Sequence, residues 1–149
     1  MSDVDERFNW GPLVEDLARR KQTALAMGGP ERVERQRSLG KLPVRERLDR
    51  FVDPGTFVEY GMLADHMDPG LAAKGSFAAD GCITGVGHVD GRPVAIVAYD
   101  FTVMAGSMGE VNEQKVTRLR ELVLRQRIPI VWLLDSAGAR VLASSGSTF

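Results

Sequence analysis

Apolar residues recur with helical spacing in the first third of the chain. Four of them fall roughly on one face of a helix: Leu13, Leu17, Ala24 and Met27. Pro30 follows two glycines, and proline favours the first position of a helix, so a second helix is predicted there. Pro43 opens a third and shorter helix over residues 44–52. The pattern predicts a helical arm over residues 1–55.

The middle of the chain changes to runs that are typical of strands. Residues 56–60 predict a short strand, and residues 64–81 have no period and predict a loop. The runs Cys82–Val89 and Arg92–Tyr99 are rich in β-branched residues and are separated only by Asp-Gly. Asp-Gly favours a type I′ turn, because both of its residues need positive φ. We therefore expect a tight hairpin.

The last third predicts a helix followed by a strand. The helix Glu110–Gln126 has an apolar face formed by Val116, Leu119, Leu122 and Val123. Ser107 stands three residues before Glu110, the spacing of a capping box. Residues 130–134 are continuously apolar, which is typical of a strand buried on both faces in a parallel sheet. A small-residue turn follows, with another helix expected near Ala139. This order is a ββα unit that begins to repeat, so the fold class is α/β.

Composition narrows the function classes. The 149 residues carry a net charge of −1, which gives no overall attraction to nucleic acid or to anionic membranes. No stretch approaches the roughly 18 apolar residues of a membrane span, and the first residues lack a signal-peptide pattern, so we expect a cytoplasmic protein. Cys82 is the one cysteine, and with only two histidines a metal site is not expected. Residues 13–50 hold ten basic and six acidic side chains, typical of a solvated arm that packs on a partner chain.

The first candidate site is the turn over residues 135–140, which reads DSAGAR. Small residues after a buried strand let backbone N–H groups approach a ligand closely, so Gly138 and Ala139 could stabilise a developing oxyanion. Arg140 could bind a phosphate through two hydrogen bonds. The same residues also suit a helix start that simply needs small side chains for packing.

The second candidate is the loop over residues 101–110, which reads FTVMAGSMGE. Gly106 and Gly109 flank Ser107 just before a helix, and such a loop could hold a pyrophosphate or the flat face of an adenine. It lacks both the G-x-G-x-x-G pattern and the lysine of a P-loop. A capped helix with a flexible lead-in explains the same residues.

Three ordered segments carry a more specific signal. They read GKLPVRERLDRFVDPGTFVEYG over residues 40–61, DGCITGVGHVDGRPVAIVAYDFTVMAGSMGE over 80–110 and IPIVWLLDSAGAR over 128–140. Together they resemble the β-subunit family of biotin-dependent acyl-CoA carboxylases. That family includes the carboxyltransferases of propionyl-CoA, acetyl-CoA and methylcrotonyl-CoA carboxylases. The resemblance implies a crotonase-like fold, a spiral of ββα units that is incomplete here. Residues 56–149 would form the first part of its N-terminal acyl-CoA-binding domain.

The resemblance also implies chemistry and partners. An enolate of the acyl-CoA would attack carboxybiotin that is carried on a partner subunit, and the backbone of Gly138 and Ala139 would stabilise its oxygen. The acyl-CoA pocket would be lined by Ala105, Gly106, Ser107, Met108, Gly109, Arg140 and Val141. No side-chain general base and no metal are implied. The implied partners are a biotin carboxylase or biotin carboxyl carrier subunit and further copies of the same subunit, with active sites at subunit interfaces.

The sequence departs from the family pattern at two places. Ala137 stands where the family usually has glycine, and residues 141–149 lack the acidic continuation of many members. Two alternatives stay open: the carboxyltransferase subunit of a biotin-dependent acyl-CoA decarboxylase, and a non-catalytic truncated module that binds CoA or another subunit. The family chain is several times longer, so we expect these 149 residues alone to be inactive. The acyl group is undetermined.

Overall fold

The computed structural model describes residues 9–65 and 78–140. Three helices come first, and they confirm the predicted helical segments: α1 (Gly11–Leu25), α2 (Pro30–Ser38) and α3 (Val44–Phe51). Pro30 is the first residue of α2, and Pro43 is the N-cap of α3. On the predicted apolar face of α1, Ala24 is buried whereas Leu13 is exposed. Only part of that face is therefore buried within the described residues.

Among the described residues, four strands form one sheet in the order β1-β2-β3-β4: β1 (Val58–Tyr60), β2 (Cys82–Val89), β3 (Arg92–Tyr99) and β4 (Ile130–Leu133). The pairs β1–β2 and β2–β3 are antiparallel, and β3–β4 is parallel. Helix α4 (Glu110–Gln126) connects the two parallel strands. The predicted hairpin is confirmed residue for residue, and Asp90 and Gly91 have φ of 50° and 73°, as a type I′ turn needs.

The core lies on both faces of β3. Alternate residues of that strand pack toward α3 on one face and toward α4 on the other. The first cluster contains Val44, Leu48, Val52, Ile83, Val94, Ile96 and Ala98. The second contains Cys82, Ala95, Val97, Tyr99, Val116 and Leu119. The apolar face predicted for α4 is thus confirmed, and α3 packs on the chain's own sheet.

Residues 130–134 have the apolar character of a strand buried on both faces, but that burial is not reached within the described residues. Within the described ranges β4 lies at one edge of the sheet, and its Trp132 is 37% exposed. Leu134, just after the strand, is 68% exposed. In the described part of the chain, β3 and the first half of β2 are buried on both faces instead. A continuous apolar run reports that a strand belongs to a sheet, but its neighbours decide how much of it is covered.

The predicted capping box is also wrong. Helix α4 has Gly109 as its N-cap, and no side chain caps it there. Ser107 precedes that cap by two residues, because a 3₁₀ turn at Met104–Gly106 and extended backbone delay the helix. The N–H of Asn112 in the first turn instead donates to Asp80 Oδ2 at 3.0 Å.

Two other expectations fall partly outside the described residues. In the segment predicted as loop, residues 66–77 are not described, and residues Ala78–Gly81 form a 3₁₀ turn. The helix expected near Ala139 would run into residues 141–149, which are also outside the described ranges. Val141, predicted to line the acyl-CoA pocket, is one of these residues. Ala139 itself pairs with Met108 in a parallel bridge. No helix in the described part of the chain has the length and apolar character to cross a membrane.

Candidate functional site

The two candidate segments meet at the end of the sheet where β3 and β4 finish. The loop over residues 105–109 comes after β3, and the turn over residues 135–140 follows β4. Since the two strands are parallel, both segments leave from their carboxyl ends, where α/β proteins commonly bind ligands. The Ala137 N–H donates to the Ala105 carbonyl at 2.9 Å, and the Met108 N–H donates to the Gly138 carbonyl at 2.9 Å. The loop and the turn therefore lie side by side.

Close backbone approach explains the small residues of the loop. A Cβ added to Gly106 would overlap the carbonyl oxygen of Asp135. Met104, Ala105 and Gly106 all have positive φ, between 48° and 63°. Left-handed backbone at non-glycine residues is strained and clusters at functional sites. The loop thus holds a strained conformation directly against the turn.

The bridge between Met108 and Ala139 sets the direction of the turn's amides. The Arg140 N–H donates to the Met108 carbonyl at 2.7 Å, on the same side as the Gly138 carbonyl. In a parallel bridge of this kind, the intervening residue directs its own N–H away from the partner strand. The N–H of Ala139 therefore points to the open side of the turn, and its side chain is exposed.

Of the two predicted oxyanion donors, Gly138 already has an intramolecular partner. Its N–H donates to Ser136 Oγ at 3.0 Å, and its φ of 103° is accessible to glycine alone. A ligand that used this N–H would have to displace the Ser136 hydroxyl. The oxyanion role of Gly138 and Ala139 stays a prediction, and the geometry favours Ala139 as the first donor.

Arg140 turns into the protein. Its side chain is 5% exposed, and Nη1 lies 2.5 Å from Asp80 Oδ1. Nη2 donates to the Ser107 carbonyl at 2.9 Å, and Nε donates to Ser107 Oγ at 3.2 Å. With these internal acceptors in place, the predicted phosphate contact of Arg140 stays a prediction that its present contacts do not support.

The helical arm contacts the same end of the sheet, where β3 and β4 finish. Asp135, the first residue of the turn, accepts hydrogen bonds from Gln36 Nε2 at 2.9 Å and from Lys41 Nζ at 3.1 Å. Lys41 also lies 5.1 Å from the centre of the Phe101 ring. The Gly28 N–H donates to Thr102 Oγ1 at 2.9 Å. These contacts anchor both the loop and the turn to the arm.

Buried ionisable groups surround the site without facing it. Lys115 on α4 donates to the carbonyls of Ala79 and Cys82, and burial lowers the pKa of its ammonium. Burial raises the pKa of the Cys82 thiol to about 12. It also raises the pKa of Asp100, against hydrogen bonds from Thr102 that lower it. These groups hold structure around the site rather than offering a proton to it.

Sequence reasoning missed four residues that fix this site: Gln36, Lys41, Asp80 and Asn112. None of them belongs to a local pattern that predicts its contact, because each bonds to residues far along the chain. Asp80 stands 60 residues before Arg140. Its only signal was its place at the start of the second of the three family-like segments.

Comparison with known proteins agrees with this geometry. Residues 35–147 match the family model described as the carboxyl transferase domain. The chain is 39% identical over 129 residues to the carboxyltransferase subunit of propionyl-CoA carboxylase from Haloferax mediterranei, a match that covers 86% of this chain and 25% of that protein. It is 38% identical over 130 residues to the human mitochondrial propionyl-CoA carboxylase beta chain, with 85% and 24% covered.

A solved structure shows the same likeness in three dimensions. Transcarboxylase 12S, crystallised with methylmalonyl-coenzyme A and methylmalonic acid, superposes with a TM-score of 0.80 at 40% identity. The match covers 94% of this chain and 26% of that one. The chain thus belongs to the carboxyl transferase domain family, with a mixed α/β fold like that of solved carboxyltransferases. It spans about a quarter of the length of the curated relatives it matches.

Proposed function

We propose that the protein containing this chain is the carboxyltransferase component of a biotin-dependent acyl-CoA carboxylase. The observation that carries the proposal is the pairing of the loop 105–109 with the turn 135–140 at the carboxyl ends of β3 and β4. This pairing leaves the Ala139 N–H on the open side of a turn made of small residues. A donor fixed in that way suits the oxygen of an acyl-CoA thioester.

The chain's own residues would bind and orient the acyl-CoA. The Ala139 N–H would hydrogen-bond the thioester oxygen and hold it as negative charge develops in the enolate, with Gly138 as a second donor. Ala105, Gly106 and Met108 would support the turn from its other side, where the loop is bonded to it. Carboxybiotin on a partner subunit supplies the carboxyl group. In that transfer the N–C bond of carboxybiotin would break as a carbon–carbon bond forms at the α-carbon, and the α-proton would go to the ureido nitrogen.

The finer assignments belong to the same proposal. We infer that residues 56–149 form the first part of an acyl-CoA-binding domain built as a spiral of ββα units, and that residues 1–55 are its helical arm. The protein would work in the cytoplasm with a biotin carboxylase and carrier subunit. It would form a homo-oligomer with active sites at subunit interfaces. The relatives named as propionyl-CoA carboxylase subunits support propionyl-CoA as the first substrate to test.

The test uses protein expressed from the whole open reading frame together with its biotin carboxylase and carrier partner. Incorporation of labelled bicarbonate is measured with propionyl-CoA and with acetyl-CoA. Ala139→Pro removes the donor N–H, and Ala139→Gly at the same position retains it. We expect the proline variant to lower kcat by about 100-fold or more, as loss of an oxyanion donor does, and the glycine variant to keep most of the activity.

Three outcomes would contradict the proposal. Decarboxylation of methylmalonyl-CoA without any fixation would favour the decarboxylase alternative. Binding of CoA without either reaction would favour a non-catalytic module. Equal activity of the proline and glycine variants would show that the Ala139 N–H has no part in the transfer.

A further inference from the structure

Asp80 is a completely buried carboxylate at the base of the candidate site. It is 0% exposed and has a partner on each oxygen: Arg140 Nη1 on Oδ1 at 2.5 Å, and the Asn112 N–H on Oδ2 at 3.0 Å. It lies in the 3₁₀ turn before β2 with a φ of 51°. Burial of a charge and left-handed backbone are both unfavourable, so these partners must compensate for them.

Arg140 connects Asp80 to the loop. While Nη1 binds Asp80, Nη2 and Nε bind the carbonyl and the hydroxyl of Ser107. A Cβ at Gly109 would lie 2.6 Å from Arg140 Nη1, so the guanidinium occupies the space that a side chain would need. A planar guanidinium donates in fixed directions, which suits it to hold several acceptors at once. One side chain thus ties together three segments that are distant in sequence.

The backbone of Arg140 links this anchor to the proposed donors. Its N–H is bonded to the Met108 carbonyl at 2.7 Å, directly after Gly138 and Ala139. Arg140 therefore bonds to the loop twice: its backbone N–H bonds to Met108, and its guanidinium bonds to Ser107. A guanidinium that left Asp80 would also loosen its bonds to Ser107, which help to hold the loop against the turn that carries the Ala139 amide.

We infer that Asp80 is a positioning residue that acts through Arg140 on the backbone amides of Gly138 and Ala139. The inference rests on the proposed function. Asp80 touches no substrate in this arrangement, because both of its oxygens face protein donors. Loss of its charge would leave the Arg140 guanidinium buried without its counter-ion, which is strongly unfavourable. The guanidinium would then move, and the turn would move with it.

The experiment compares Asp80→Asn with Glu59→Gln in protein from the whole open reading frame, assembled with its biotin-carrying partner. Glu59 on β1 serves as the control, because it forms a comparable ion pair with Arg45 of α3 at 2.8 Å. The Glu59 side chain is 6% exposed and that of Arg45 is 20% exposed. That pair lies at the opposite edge of the sheet. The readouts are kcat and KM for propionyl-CoA, and hydrogen–deuterium exchange of peptides covering residues 105–109 and 136–140.

We expect Asp80→Asn to lower kcat by about 10- to 100-fold, as small misplacements of reacting groups do, with KM changed much less. Exchange in both peptides should become faster. Glu59→Gln should leave kcat and the exchange of these two peptides unchanged. If Asp80→Asn does not accumulate as folded protein, Arg140→Lys replaces it in the experiment. Lysine keeps the positive charge but lacks the planar guanidinium that bonds to Asp80 and Ser107 together. It should give the same loss of kcat and the same faster exchange.

Several results would overturn the inference. Unchanged exchange in the two peptides would show that Asp80 does not hold them. A raised KM with unchanged kcat would show that the freed or altered Arg140 acts on substrate binding. An equal loss of kcat in Glu59→Gln would reduce the effect to general stability. If the wild-type protein transfers no carboxyl group, the proposed function fails, and the exchange comparison alone still decides whether Asp80 positions the loop and the turn.

Discussion

Cys82 shows how burial alone changes the chemistry of one residue. Its thiol is 0% exposed at the start of β2, packed with Val97 and Val116 between the sheet and α4. Desolvation raises its pKa from 9.0 to about 12, and the charge of Lys115 opposes this only in part. The thiolate is the reactive form, so the folded protein should protect this residue from modification.

We predict that Cys82 reacts with a thiol reagent at pH 8 far more slowly in the native protein than in urea, because the side chain is fully buried and burial raises its pKa from 9.0 to about 12. The native rate should continue to climb as the pH rises toward 12, whereas the unfolded rate should level off above 9. Peptide mass spectrometry after timed labelling measures both rates. Equal rates in the two states would mean that the thiol is accessible in the fold.

At the scale of elements, the site depends on a close fit between a loop and a turn. The carbonyl of Asp135 lies where a side chain on Gly106 would project, and Gly106 also has a φ of 63°. Two requirements therefore meet at one glycine: positive φ and close approach of another backbone. Gly40 has a similar φ of 74° but has no atom within 4 Å of an added Cβ. Substitutions at Gly106 and Gly40 therefore distinguish the cost of close backbone approach from the cost of positive φ alone.

We predict that Gly106→Ala destabilises the protein by about 3 kcal/mol or more, because overlap with Asp135 is added to backbone strain. Gly40→Ala should cost only about 1 kcal/mol, the strain of left-handed backbone alone. Urea unfolding followed by fluorescence measures both changes. A similar loss in the two variants would show that the loop and the turn can separate without cost.

Local and non-local signals divide clearly at this scale. The hairpin Cys82–Val89 and Arg92–Tyr99 could be predicted to the residue, because strand-forming runs and an Asp-Gly turn specify it within 18 residues. The cap of α4 could not be predicted in that way. Ser107 has the right spacing from Glu110, yet the first helical turn receives its acceptor from Asp80, 32 residues before Asn112. A contact across that separation leaves no periodic trace.

At the scale of the molecule, the sheet is open along β4. Strand β4 pairs with β3 on one side, and in the described part of the chain no strand pairs with its other side. Trp132 and Leu134 are exposed beside that edge. An exposed apolar edge strand can pair with another chain. The unpaired edge is consistent with a chain that associates with further protein in its working form.

We predict that residues 1–149 expressed alone self-associate and transfer no carboxyl group. Leu134→Lys should reduce the association, because a charge beside the edge opposes pairing. Leu17→Lys on α1, also at an exposed apolar position, is the matched control and should have less effect. Size-exclusion chromatography with light scattering measures the mass. A monodisperse monomer that unfolds cooperatively would refute the association, and measurable transfer would refute the inactivity.

The sequence by itself determined which segments are helices and strands, their order, and the family to which the chain belongs. Periodicity, turn residues and short motifs are local, so they can be read without knowledge of what lies beside them. Only the tertiary structure decided which strands are covered on both faces, that Arg140 turns inward to Asp80, and that Gln36 and Lys41 hold Asp135. These outcomes depend on the parallel pairing of β3 with β4 and on burial. Both are set by residues that meet only after the chain has folded.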